Sequence, residues 1–232
     1  MVNRTFTAPA VVTPFPEVWS SRLNDACIVP DSDTLALRPE QHDLVIHAMS
    51  LHWANDPVGQ LIQSRRSLRP DGLLICATLG GQTLEELRAS LGQAEIALTG
   101  GLSPRVAPMG EIRDLGALLQ RAGFALPVAD SMTLDVAYRD AFHLMHDLRR
   151  MGEANALEQR NRRIPPAEMF KHADEIYRAA FPSAENRIKA TFELVFLTGW
   201  APDESQQKPL RPGSAKQRLA DALSVPETPL RD

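Results

Sequence analysis

The stretch from residue 44 to residue 77 constrains this chain more than any other. Leu44-Val45-Ile46-His47-Ala48 is an almost continuous apolar run, the pattern of a strand covered on both faces. Asp56 then offers a helix N-cap, with Pro57 at the first helical position, where a missing N–H costs nothing. Val58, Leu61, Ile62 and Leu68 share one face of the helix that follows. Arg69-Pro70-Asp71-Gly72 closes it as a type I turn, and Leu73-Leu74-Ile75-Cys76-Ala77 is a second buried strand. Strand, crossover helix and strand at this spacing make a βαβ unit with parallel strands and a right-handed crossover.

The flanks extend the same alternation. Ala10-Val11-Val12-Thr13 is a short β-type run stopped by Pro14 and Pro16, which cannot donate to a ladder. Residues 16–23 read as a short helix with Val18, Trp19 and Leu23 on one side, and Cys27-Ile28-Val29 as a strand ended by Pro30. Thr83-x-x-Glu86 is a capping box opening a helix through Leu84, Leu87, Leu91 and Leu98, with Gly100 past its end. A helix over about 111–122 ends at Gly123, and 126–138 reads as extended. Ala141, Leu144, Met145, Leu148 and Met151 mark one amphipathic helix; Met169, Phe170, Ala173, Ile176 and Tyr177 mark another. They form a helical insert, about 140–182, before a last strand over 191–198. The expected fold is α/β: a Rossmann-like, mainly parallel sheet with flanking helices over residues 1–201, then a Pro-rich, loosely ordered tail over 202–232.

Composition excludes several classes. A net charge of −4 gives no general reason to expect nucleic acid as partner. No apolar run approaches the ~20 residues of a membrane span, and the N-terminus lacks the apolar core of a signal peptide. Cys27 and Cys76 each lie in an apolar run, which predicts buried thiols in a reducing compartment, the cytoplasm. The first glycine is Gly59. That excludes a Walker loop or a Gly-x-Gly-x-x-Gly turn from the N-terminal quarter.

Several segments resemble one family. Asp43-Leu44-Val45-Ile46, Ser50-Leu51-His52-Trp53-Ala54-Asn55-Asp56 and Leu68-Arg69-Pro70-Asp71-Gly72 look like the fourth strand, following loop and fifth-strand turn of class I S-adenosylmethionine-dependent methyltransferases. Gly80-Gly81-x-Thr83-Leu84-x-Glu86-Leu87-Arg88, Ser103-Pro104-Arg105, Arg113-Asp114-Leu115-Gly116, Asp147-Leu148-Arg149-x-Met151-Gly152-Glu153-x-Asn155 and Thr198-Gly199-Trp200 are similar to the biotin-synthesis and respiratory complex I assembly-type subgroup. The likeness covers roughly residues 26–213. Such enzymes carry an acidic-x-Gly-x-Gly loop after strand 1, where this chain has Thr13-Pro14-Phe15-Pro16. Two βαβ units need ~60 residues, and Ala10 to Asp43 spans about half that, so one strand–helix unit is expected to be missing. The helical lead-in of such enzymes is also absent, which places Met1 downstream of the expected start.

Ligands of open α/β sheets sit beyond the carboxyl ends of the strands, where strand order reverses. For the family's fold the candidates therefore follow Thr13 and Ala48. The resemblance implies S-adenosylmethionine as cofactor, in a cleft lined by Ala48, Met49, Leu51 and His52, with Trp53 offering an aromatic face to the sulfonium. Asp31 matches the acid near the adenine, with Ser32 beside it; Asp33 serves instead if this strand takes the strand 2 position. The alternative readings are a packed wall for the loop, a core tryptophan for Trp53 and a solvated loop acid for Asp31. His143, His146 and Asp147 lack a third ligand at useful spacing, so no metal is expected. Arg149, Arg150, Arg160, Arg162 and Arg163 read as a solvated face or as a docking surface for an acidic protein or phosphorylated carrier. Arg88 and Arg105 pair internally or face substrate.

The implied activity is methyl transfer to an unidentified acceptor: a small molecule, a carrier-bound acyl group or a protein. In-line displacement needs alignment and dryness rather than a dedicated nucleophile, so no catalytic residue is named. The alternative is a catalytically inactive methyltransferase-fold protein acting as an assembly or scaffolding partner.

Overall fold

A computed structural model describes residues 4–207. β1 (Pro9–Val12), α1 (Pro16–Ser20) and β2 (Cys27–Val29) are followed by β3 (His42–Ala48) and a 3-10 turn at Leu51–Trp53. α2 (Pro57–Ser67), β4 (Leu68–Leu79), α3 (Glu85–Thr99), α4 (Ile112–Arg121) and β5 (Ala125–Tyr138) come next. α5 (Ala141–Arg150), α6 (Ala167–Ala180), the two-residue β6 (Pro182–Ser183) and β7 (Arg187–Trp200) complete the elements.

The strands form one sheet in the order β2-β1-β3-β4-β7-β5, with β6 beside β7. β1, β2, β3 and β4 pair in parallel, and β7 runs against both β4 and β5. The Rossmann-like expectation therefore holds, with helices α5 and α6 inserted before the final strand. β2 lies directly against β1, joined to it by a helix of five residues.

The βαβ unit forms as its sequence dictates. The Asp56 carboxylate accepts the Gly59 N–H at 2.8 Å and caps α2. α2 packs through Leu61 onto Val45, Leu74 and Cys76, and with Leu115 and Leu119 of α4 covers one sheet face. Arg65 ties the two helices by donating to the Ala122 carbonyl at 2.7 Å. A second core joins α3, α5 and α6 around Tyr177, Leu144 and Met169.

Several local expectations fail for physical reasons. The 69–72 turn is not type I: Asp71 has φ 59, where type I requires a negative value at its third position. Gly72 is needed there because a Cβ would stand 2.9 Å from the Arg69 carbonyl oxygen. The capping box does not form. Leu84 occupies the N-cap, and Thr83 instead exchanges hydrogen bonds with the Glu193 backbone at 3.1 and 3.3 Å. Glu86 reaches β7, accepting the Thr191 N–H at 3.1 Å and its hydroxyl. Both side chains are spent holding α3 to the last strand. α1 buries no residue, so Val18, Trp19 and Leu23 form no packed face. Cys76 is buried, but Cys27 is exposed because β2 is the sheet's edge. The final strand is longer than expected, since β7 pairs on both sides. The tail over 202–232 lies mostly outside the described residues. No helix among the described residues is long and apolar enough to cross a membrane.

Candidate functional site

Two cavities open beyond the carboxyl ends of the parallel strands. The first, a chamber of about 250 Å³, lies between the 3-10 turn after β3, helix α3 and the insert helices. Leu84 at the N-cap of α3, with Leu87 and Leu91 of that helix, lines it together with Met145 and Leu148 of α5 and Phe170 of α6. His52, Trp53 and Glu153 close one end, and Arg149 and Asn155 stand at its border. The second, a crevice of about 610 Å³, lies where strand order reverses: Phe15 follows β1, Met49 follows β3 and Leu79 ends β4. Tyr138, Phe192 and Leu194 form its floor, and Glu153 borders both cavities.

Glu153 is held by two neighbouring side chains of the 3-10 turn. Its Oε1 accepts from His52 Nε2 at 3.0 Å and from the Trp53 indole N–H at 3.3 Å. With Nε2–H directed to the carboxylate, His52 Nδ1 accepts from the Thr78 hydroxyl at 3.2 Å. Loop, strand β4 and insert are thereby locked where the cavities meet. Arg105 is internally paired: Glu95 receives its guanidinium at 2.8 and 3.1 Å and Ser103 at 2.6 and 3.0 Å. Burial works against the Glu95 charge, but the Arg105 and Ser103 hydrogen bonds hold its carboxyl below the usual range. Arg88 donates to the Ala107 carbonyl at 3.2 Å.

The sequence-derived residues separate into three groups. His52 and Trp53 line the chamber, and Met49 lines the crevice. Ala48 and Leu51 are buried and line neither. Asp31 and Ser32 also line neither cavity. The Ser32 carbonyl accepts from Gln60, which in turn accepts from the buried His47 at 2.7 Å. Burial pushes the His47 pKa down, although Gln60 opposes this, and keeps the ring neutral. His143 and His146 are exposed on α5. Glu153 and Asn155 lie within a family-like motif without an assigned role, and Arg149, read from sequence as part of a solvated face or docking surface, borders the chamber. Leu84, Leu91, Met145 and Phe170 carried only helical periodicity, which a core and a cavity wall share.

The exit of β1 does not suit the cofactor that the fold invites. Pro14 and Pro16 have no N–H, and the Phe15 N–H is taken by the Thr13 hydroxyl at 3.1 Å. The Thr13 N–H is bonded to Val29 at 3.0 Å. No free backbone donor remains from Thr13 to Pro16. The Phe15 ring instead lies over Gly152, so close that a Cβ there would stand 3.3 Å from its tip.

A methyltransferase-domain model matches residues 12–76. The chain is 37% identical over 199 residues to the Danio rerio protein named arginine-hydroxylase NDUFAF5, mitochondrial, covering 86% of this chain and 62% of that protein. The Dictyostelium discoideum protein of the same name is 42% identical over 77% of this chain and 41% of its own length. A malonyl-[acyl-carrier protein] O-methyltransferase of Laribacter hongkongensis is 32% identical, over 81% and 61% respectively. The chain thus spans less than two thirds of each of these relatives. Among solved structures, the YcgJ protein of Bacillus subtilis matches with a TM-score of 0.52 and 9% identity, over 84% of this chain and 92% of that one, a likeness of fold alone. The sheet order, the domain match and the likeness to the solved structure together show a class I S-adenosylmethionine-dependent methyltransferase fold, and the curated relatives are what the chain resembles.

Proposed function

We propose that this chain works as a binding partner built on a methyltransferase frame. It receives an apolar, acyl-type ligand in the chamber and transfers no methyl group itself. The exit of β1 carries this reading. A charge-assisted hydrogen bond contributes about 1.5–3 kcal/mol, so losing two such donors weakens cofactor binding by roughly 10²–10⁴-fold. Asp31, the remaining acid of the cofactor pattern, stands outside both cavities. The chamber keeps its aliphatic walls, and carrier-bound acyl groups are the substrates in the names of the malonyl-acyl-carrier-protein relatives. A cytoplasmic setting agrees with two free thiols, one of them exposed.

Isothermal titration with S-adenosylmethionine and S-adenosylhomocysteine tests this reading. No heat and no thermal shift at millimolar ligand is expected, while an octanoyl thioester raises the melting temperature. A second reading, S-adenosylmethionine-dependent methyl transfer, is favoured by one observation: crevice and chamber adjoin at Glu153, as donor and acceptor sites must. Micromolar cofactor affinity would establish it and overturn the first.

A further inference from the structure

We propose that the loop joining α5 to α6 docks this protein on an anionic lipid surface. Ile164 is 96% exposed, the most exposed large hydrophobic side chain among the described residues. Arg162 and Arg163 precede it, and Arg149 and Arg150 end the helix that leads into the loop, all four exposed. None of these four has a carboxylate partner among the described residues, whereas Arg139, Arg178 and Arg187 are paired with acids. Arg160 contributes a further charge and bonds only the Leu157 carbonyl, at 2.8 Å. The opposing acids between 149 and 163 are Glu153 and Glu158, and Glu153 is already engaged by His52.

Charge complementarity therefore calls for an anionic partner, and shape selects which kind. An aliphatic side chain at that exposure stands on a tip, not in a groove. A protein partner would have to supply a pocket for it, whereas an interfacial lipid layer accepts an apolar tip preceded by two arginines without a preformed site. Pro165 and Pro166 restrict the backbone beside Ile164 and lower the entropy lost when the tip is fixed. Each arginine near an anionic membrane strengthens binding about fivefold, so Arg162 and Arg163 together give roughly 30-fold. The chain-wide balance of −4 hides this local excess.

Sedimentation of the full chain with vesicles of phosphatidylcholine and phosphatidylglycerol tests the proposal. The chain is expected to pellet with them at low salt, to be released at high salt, and to ignore pure phosphatidylcholine. Arg162→Gln with Arg163→Gln should weaken partitioning roughly 30-fold, and Ile164→Asp should abolish it, with unchanged far-ultraviolet dichroism. Ile164→Trp should bind at least as well, with blue-shifted tryptophan fluorescence. Failure to pellet with anionic vesicles, or equal pelleting of wild type and Ile164→Asp, overturns the proposal. Binding to soluble polyglutamate without vesicle binding overturns it in favour of an acidic protein partner. None of these readings depends on what occupies the chamber.

Discussion

Glu153 and His52 are 101 positions apart in sequence and 3.0 Å apart in the fold. Their contact fastens the loop after α5 to the turn after β3, at the wall common to chamber and crevice. Glu153→Ala should unfasten both and leave the His52 ring and the Trp53 indole without their acceptor. A loss of about 1–3 kcal/mol is expected, lowering the melting temperature by several degrees in calorimetry. Glu153→Gln keeps an acceptor oxygen and should recover most of it.

Glu86 is 1% exposed and serves two donors of Thr191. Glu86→Ala should cost about 2–4 kcal/mol in urea titration, because two buried donors lose their acceptor at once. Were Glu86 an ordinary helix cap, the cost would be nearer about 1 kcal/mol, and a loss that small would refute its assignment to β7.

Acid should weaken the fold through carboxylates whose pKa values lie below normal, Glu95 and Asp43 among them. At Glu95 the Arg105 and Ser103 hydrogen bonds overcome burial; at Asp43 the Thr7 and Ala8 N–H groups and the Thr7 hydroxyl do so. Below its unfolded pKa each group binds more protons in the unfolded chain than in the native one. Their stabilisation is therefore complete above the ordinary values of 4.5 and 3.8, and is lost as pH falls through the depressed native values. Urea midpoints measured from neutral pH downward should drop in that window. The drop should be shallower in Glu95→Gln, which starts from a lower neutral-pH stability.

The thiols should report separately. Cys76 is buried, and burial pushes its pKa up to about 12, so it stays protonated and unreactive in the native state. Cys27 is exposed on the edge strand. Ellman's reagent should titrate one thiol per native chain and two in guanidinium. Cys27→Ser should leave none reactive without denaturant.

What could be read in advance was local. The βαβ unit announces itself because cap, helix face and both strands lie within about 35 residues. Thr83 and Glu86 were misread because their true partners, Glu193 and Thr191, are more than a hundred positions away. A capping box is identical in sequence whether or not a distant strand claims it. Cys27 sits in an apolar triplet, and nothing in three residues says that the strand is an edge. In the cavities, Met49, His52 and Trp53 were legible from their place after a parallel strand. Leu84, Leu91 and Phe170 were not, since helical periodicity marks what is shielded from water without saying whether protein or ligand does the shielding.

β7 lies between β4 and β5, although it is the last strand to be made among the described residues. Until Arg187–Trp200 leaves the ribosome, β4 and β5 each present an unpaired edge, with strand residues such as Leu74 and Met132 ready to pair with another chain. Closure waits for contacts spanning over a hundred residues, which makes completion of the sheet the slow step of folding. A chain cut between Leu79 and Arg187 would carry the whole βαβ unit and still leave the β4 edge open to aggregation. Arrival of β7, more than formation of the βαβ unit, decides whether a newly made molecule survives.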